Sequence, residues 1–522
     1  MSIILLENTL IKIHALFKLD ISHSSRVSLF VTLYDKAFSM KNLLIFLLAI
    51  ISFQAHSQWI QKGDVFAGLD SNDNIGYSLC MDDPGNILAI GTVNNNSGGN
   101  VSVYSYESSN WSIMGNPLLQ SNTNDSFGEV VCLNKFGDIL AVSAPSANGN
   151  GGHSGIVKLF EWDGIDWVQK GSSINGQNNS EHLGQSMDVS ADGLTIALGV
   201  NGDTGIPGEG MCRVYEWNGV DNWVQKGSDI VGEAINDLFG YSVDLDYEGD
   251  IVAVGGRNND GSGLESGHAR VYSFNGTDWV QMGSDIDGEN AGDWAGYSIT
   301  MDSTGHLVAV GSRMNDETAT DAGQVRLFEW DGNEWTQKGS SLYGEGDFAH
   351  FGAMVKLNRQ GTFIAIGSPE YDADTTGGRT YVYGWDGNDW ELFVNPIEMS
   401  LQFGWFGHAI DIADSGTDVL VSIGAPNTNL YGEVRVFQAN YKSANLNEES
   451  LQKIKLYPNP ASSVIHIDTG LDVLSSDIYN TQGKLISTFS GKSFDVSDFD
   501  SGIYIIRIRT ATSTFMKRVI IE

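Results

Sequence analysis

Short runs of alternating apolar and polar residues, separated by glycine turns or long polar loops, fill the chain from Gln58 to Gln438. Between Trp223 and Trp279, Trp-Val-Gln-Lys-Gly leads through an acidic loop to Phe239-Gly-Tyr-Ser242, then to Ile251-Val-Ala-Val-Gly255, a long polar loop, and Ala269-Arg-Val-Tyr-Ser273. At Trp279, 56 residues on, the pattern restarts. Alternation with a period of two predicts strands. Four landmarks recur in this order. They are a tryptophan strand (Trp59, Trp111, Trp167, Trp223, Trp279, Trp335, Trp390) and a glycine that opens a strand (Gly76, Gly128, Gly184, Gly240, Gly296, Gly352, Gly407). The others are an apolar strand such as Ile87-Leu-Ala-Ile90 and a strand such as Arg213-Val-Tyr-Glu-Trp217, and each landmark occurs seven times.

A lone four-stranded sheet cannot bury both its faces, so a tandem array of such units is stable only when neighbours stack. Four strands at this period, seven times over, predict an all-β seven-bladed β-propeller across 58–438. Tight turns join the second landmark to the third (Asp246-Tyr-Glu-Gly249) and the fourth to the next tryptophan strand (Asn218-Gly219, Asn275-Gly276, Asp331-Gly332). The other two connections are long and polar, which places the variable loops on one end, where binding residues usually sit. The array begins with a tryptophan strand and ends without one. Residues 59–63 are therefore expected to complete the last blade and close the ring.

Phe239-Gly-Tyr-Ser-Val243, Gly424-Ala-Pro426, Ser143-Ala-Pro145, Gly367-Ser-Pro369 and the Trp-x-Gln strand resemble FG-GAP repeats of integrin-α-like propellers. The resemblance implies that the glycine-opened strand is innermost and the tryptophan strand outermost, and it is weak for function because such propellers serve many roles. Many such repeats hold calcium in an acidic first hairpin turn. Most of the corresponding turns here carry one carboxylate or none, too few for an ion that takes six to eight oxygens, and the best remnant is Asp244, Asp246 and Glu248. Calcium is kept as a candidate cofactor on those residues alone.

After Gln438 the repeat stops. A polar linker, 439–450, leads to Leu456-Tyr-Pro-Asn-Pro-Ala461, Ile478-Tyr-Asn-Thr-Gln-Gly-Lys484, Ser501-Gly-Ile-Tyr504 and a Lys517-Arg518 ending. Alternating strands with glycine turns predict a small C-terminal β-sandwich over 451–522. These motifs resemble the C-terminal sorting domain of type IX secretion, whose pattern falls on Tyr457, Pro458, Asn459, Pro460, Gly483, Lys484, Gly502, Tyr504 and Lys517. That resemblance implies the type IX machinery as partner and release from, or display on, a Gram-negative cell. Upstream, Met40-Lys41, the apolar run Leu43–Phe53 and Ala55-His-Ser57 have the layout of a secretory signal peptide over 40–57. The run is too short to span a bilayer, which takes ~20 residues. Residues 1–39 are expected to precede the true start at Met40.

Composition agrees with a strand-and-turn fold, with 62 glycines, 9 prolines and 18% charged residues. The net charge of −36, spread through loops, gives a solvated surface and excludes a nucleic-acid binder, which needs a basic footprint. Cys80, Cys132 and Cys212 are too widely spaced for a metal motif and read as small buried residues. Asp73, Asp125, Glu181, Asp237 and Asp293, each three before an opening glycine, read as loop-capping acceptors. Asp203, Asp260, Asp316, Asp372 and Asp374 in the long loops are the candidates for cation or glycan contact. The histidines fall at scattered places in the repeat, and the chain carries no nucleophile elbow or histidine–glutamate metal motif. The expectation is a binding or adhesion protein without catalytic residues. A polysaccharide-degrading propeller and a structural cell-envelope spacer are the alternatives.

Overall fold

The computed structural model describes residues 59–440, apart from 69–72, 94–98, 121, 123, 201–208, 370–376, 400–403 and 429–430, and the tail from 455 to 521 apart from short connections. The signal-peptide stretch 40–57, residues 1–39 and linker positions 441–450 lie outside the described residues. Every described element in the propeller is a strand or turn, and the strands form seven five-stranded sheets. In the fourth blade the order from the centre outward is Phe239–Leu245, Ile251–Gly256, His268–Phe274 and Trp279–Gln281. The glycine-opened strand is thus innermost and the tryptophan strand outermost.

The expected four strands per blade become five because the outer strand is interrupted. Trp279–Gln281 and Ile286–Asp287 both pair with His268–Phe274, through Tyr272↔Gln281 and Ala269↔Ile286. The break falls at Gly283, whose φ of 66° takes the chain off the ladder. It also sets up a bond between blades. The Nε1–H of Trp223 donates to Lys170 O (3.0 Å), that of Trp279 to Lys226 O (2.7 Å) and that of Trp335 to Met282 O (2.8 Å), each in the preceding blade. Each ring also packs on an aromatic of its own blade, as Trp223 does on Trp217 at 5.3 Å.

Nearer the axis, blades touch backbone to backbone. Gly255 has no room for a side chain because an added Cβ would stand 2.2 Å from Gly296 O of the next blade. Ser242 Oγ donates to that same carbonyl at 2.8 Å. Hairpin tips are also linked, Asp414 N–H donating to Asp83 O (3.1 Å), Asp83 to Lys135 O (3.2 Å) and Tyr247 to Ser303 O (3.2 Å).

Ring closure follows the expected route. Ile60–Gln61 joins the last blade through Ile60↔Gln438 and Gln61↔Phe437, and Trp59 Nε1–H donates to Asn395 O at 3.1 Å. Glu433–Asn440, the last propeller strand, lies between Asp418–Ala425 and this N-terminal segment, with Asn440 opposite Asp418. In the tail, a three-stranded and a four-stranded sheet contribute Ile465, Phe494, Ile478, Ile506 and Val519 to one apolar cluster.

Candidate functional site

Seven inner strands surround a central channel, and reading each from its opening glycine gives successive rings of side chains. One residue after the glycine stand Tyr77, Glu129, Gln185, Tyr241, Tyr297, Ala353 and His408, at the end carrying the long loops. They line a cavity of about 290 Å³. Four residues after the glycine stand Cys80, Cys132, Asp188, Asp244, Thr300, Lys356 and Asp411, which form the waist. Beyond it, a second cavity of about 120 Å³ opens toward the hairpin turns.

The waist is built by a repeated interaction between blades. Asp188 accepts the backbone N–H of Leu245 (2.9 Å), Asp244 that of Met301 (2.7 Å), and Asp411 that of Met81 (2.6 Å), across the ring-closing seam. Cys80 Sγ accepts from Leu133 N–H at 3.1 Å, and Cys132 Sγ–H donates to Asp188 at 3.1 Å. Cys132 and Cys212 are buried as expected, whereas Cys80 is half-buried, and the thiols of Cys80 and Cys132 also line the channel and hydrogen-bond there. Lys356 replaces the usual acceptor in its blade and reaches across the axis, its Nζ 3.6 Å from Asp244 Oδ1. Burial opposes the Lys356 charge, but Asp244, Asp188 and Asp411 outweigh it and hold the ammonium well above its ordinary range. Burial, then the neighbouring Asp188, pushes Asp244 up to about 7 against the pull of Lys356, and burial also raises Asp411.

The cavity rim is chemically uneven. Burial takes His408 down to about 4, helped by the charge of Arg313, so its imidazole is neutral at pH 7. Burial pushes the Glu129 carboxyl up and Tyr77 up to about 12. His408 packs on Tyr77 at 4.9 Å, and Tyr241 on Tyr297 at 5.0 Å. Two arginines flank the latter pair. The Arg257 guanidinium lies 4.5 Å from both the Tyr241 and Trp294 rings, and that of Arg313 lies 4.7 Å from Tyr297 and donates to its hydroxyl at 2.9 Å. Around the mouth, Asn74, Ser126, His182, Leu238, Trp294, His350 and Trp405, each two before an opening glycine, take φ between 50° and 58°. His182 and His350 thus share one repeat position, contrary to the scattered placement expected. At the hairpin end Tyr247 Oη–H donates to Asp83 at 2.5 Å and Arg359 approaches the same carboxylate at 3.4 Å, bridging the channel.

The loop carboxylates are placed differently. Asp260 accepts Glu265 N–H (2.8 Å) and Asp316 accepts Asp321 N–H (2.7 Å), each within its own loop, while Asp203, Asp372 and Asp374 lie outside the described residues. Of the calcium candidates, Asp244 faces the waist, Asp246 caps its hairpin through Asp250 and Ile251 N–H (2.8 and 2.9 Å), and Glu248 is exposed. Asp125, Glu181, Asp237 and Asp293 are buried and serve as loop acceptors; Asp237, for example, binds Ala234 N–H and Asn259 Nδ2–H, both at 3.0 Å. Glu233, His268 and Asp285 bring metal-type ligand atoms together, yet the Arg270 guanidinium already bridges Glu233 and Asp285, the latter at 2.7 Å.

Sequence patterning missed the rim, both arginines and the waist as a ring, of which it singled out Asp244 as a calcium remnant and Cys80 and Cys132 as buried residues. The signal for rim and waist is present in the chain, however, as the positions one and four after each opening glycine, where the repeat ceases to repeat.

In the tail, Tyr504 is buried in the apolar cluster, Tyr457, Gly502 and Lys517 lie on strands, and Pro458, Asn459, Pro460, Gly483 and Lys484 fall outside the described residues. Residues 455–522 match the secretion system C-terminal sorting domain family. No curated protein is detectably similar to the chain. Among solved structures, a putative 6-phosphogluconolactonase from Bacteroides uniformis is 11% identical with a TM-score of 0.42, covering 63% of this chain and 87% of its own. Sqt1 from Saccharomyces cerevisiae is 10% identical at a TM-score of 0.44, with coverages of 89% and 99%. The Dos1 propeller is 15% identical at 0.40, with coverages of 74% and 81%. Among the described residues no helix is long and apolar enough to cross a membrane. The chain is a seven-bladed propeller with a type IX sorting tail, a protein secreted from or displayed on a Gram-negative cell.

Proposed function

We propose that this is a binding or adhesion protein of the FG-GAP, integrin-α-like kind, and that it takes its ligand at the loop end of the central channel. The observation that carries this reading is the rim. Scaffold positions repeat blade after blade, but the rim reads Tyr, Glu, Gln, Tyr, Tyr, Ala, His, and it encloses a cavity of about 290 Å³. That volume lies at the small end of the ~300–1,000 Å³ typical of ligand pockets, so it suits the end group of a glycan or of a protein side chain. A spacer has no use for such asymmetry. The loop carboxylates Asp203, Asp260, Asp316, Asp372 and Asp374, with or without calcium, serve here as outer contacts.

The test is a glycan and matrix-protein array probed with the purified protein, with calcium and with chelator, alongside Gln185→Trp. The indole is meant to fill the cavity from a half-buried rim position. Binding lost in the variant at unchanged Tm supports the channel; binding retained in it removes the channel from the reading.

The hydrolytic reading has its own observation, the raised carboxyls of Asp244 and Asp411 beside Lys356, since perturbed acids in a cleft mark many active sites. It requires turnover of a polysaccharide that Asp411→Asn abolishes.

A further inference from the structure

Arg257 and Arg313 follow the strands Ile251–Gly256 and Leu307–Ser312, at the place where blades 2, 6 and 7 have Pro145, Pro369 and Pro426. Arg213 is matched to Glu181 and Asp229, Arg270 to Asp285 and Arg379 to Glu398. Arg257 has no acid or hydrogen-bond partner among the described residues, and its Nε is buried without one, in a chain with 65 acidic and 29 basic residues. The Tyr241 and Trp294 rings each lie 4.5 Å from its guanidinium carbon. Aromatic contact satisfies no N–H donor, so the guanidinium keeps its hydrogen-bonding capacity for a planar or tetrahedral oxyanion. Arg313 is held beside it by Tyr297.

We propose that Arg257 and Arg313, braced by Tyr241, Trp294 and Tyr297, form an oxyanion subsite at the channel mouth that takes the carboxylate or sulfate of an acidic saccharide. This rests on the channel-mouth reading above and adds the ligand's class. The neighbouring cavity suits a sugar because Tyr77, Gln185, Tyr241, Tyr297 and His408 offer hydroxyl, amide and neutral imidazole groups beside aromatic faces. Its volume admits a ring-sized end group in preference to an extended acidic peptide.

Titration calorimetry of the purified protein tests this with oligogalacturonate, a sulfated galactan oligosaccharide, a neutral galacto-oligosaccharide and polyglutamate. The variants are Arg257→Gln, Arg257→Lys and, at the hairpin end of the channel, the control Arg359→Gln. An acidic sugar should bind better than the neutral one. Arg257→Gln should weaken it by about tenfold or more, as expected for lost charge-assisted hydrogen bonds. Arg257→Lys should recover little, because the fork is lost, and Arg359→Gln should change nothing. The carboxylated and sulfated arms identify the anion. Equal binding of neutral and acidic sugars, unmoved by Arg257→Gln, would overturn the oxyanion subsite and leave the channel reading standing. Binding of no saccharide would overturn the oxyanion subsite alone, and binding that survives Gln185→Trp would overturn both. Polyglutamate bound through Arg257 as tightly as the sugars would overturn the saccharide assignment.

Discussion

At the scale of single residues, His408 shows how the channel imposes chemistry on a side chain. Its imidazole is held neutral, down to about 4, by burial and by Arg313. A histidine whose folded pKa lies below its unfolded value contributes stability above about pH 6.5, and that stability is lost as the pH falls toward 4. The raised acids Asp244, Asp411 and Glu129 have the opposite sign, binding protons in the folded state first, so whole-protein pH profiles mix the two. Comparison with His408→Gln separates them. Thermal melts of the two proteins should differ little at pH 7.5. Toward pH 4.5 the wild type should lose about 2 kcal/mol more than the variant, and parallel curves would place His408 in contact with solvent. Such residues were hidden in the sequence for a definite reason. Lys356 and Asp244 are 112 residues apart, and only the closing of the ring sets them 3.6 Å from each other across the axis. A lysine in one strand and an aspartate in another look like ordinary solvated positions until that closure is known. The buried loop acids were legible, since a carboxylate at a fixed offset from a glycine turn has few other uses.

At the scale of elements, the period-two alternation and the tight Asn-Gly and Asp-Gly turns make the order of strands within a blade legible, while the choice of innermost and outermost strand came from the resemblance to known propeller repeats. The break in the outer strand was not read from the sequence, because Trp-Val-Gln-Lys-Gly reads as one strand of each unit; it falls at the glycine that ends this motif, Gly227 and Gly283 both having positive φ. The closing strand carries the clearest prediction. Deleting 59–63 removes the pairing of Ile60–Gln61 with the last blade, the Trp59–Asn395 bond and the contact of Lys62 N–H with Val436 O at 2.7 Å. It also exposes the edge of Glu433–Asn440. At ~1 kcal/mol for each hydrogen bond, plus the apolar area around Trp59, the loss is expected to be several kcal/mol. Differential scanning calorimetry should show a fall in Tm of many degrees, and proteolysis should begin in the last blade; an unchanged Tm would mean that the ring holds without this strand.

At the scale of the whole molecule, the fold was readable because an array of repeated units leaves few alternatives, whereas function was not, because the array multiplies its scaffold and varies its channel-facing positions one at a time. The tail is a separate case, with its motifs local and contiguous. A fusion of residues 439–522 to a folded reporter behind a signal peptide should reach the medium or outer surface of a type IX-competent host. Retention in the periplasm, scored by fractionation and surface protease treatment, would show that the tail needs the propeller.

The strand Glu433–Asn440 runs from a long loop at the channel-mouth end to the hairpin end, where Asn440 pairs with Asp418. The polypeptide therefore leaves the propeller on the side opposite the mouth. A load applied to the chain beyond Asn440 would enter the propeller along this strand. Because the strand is hydrogen-bonded to neighbours on both sides, such a pull would shear it lengthwise instead of peeling it from an edge.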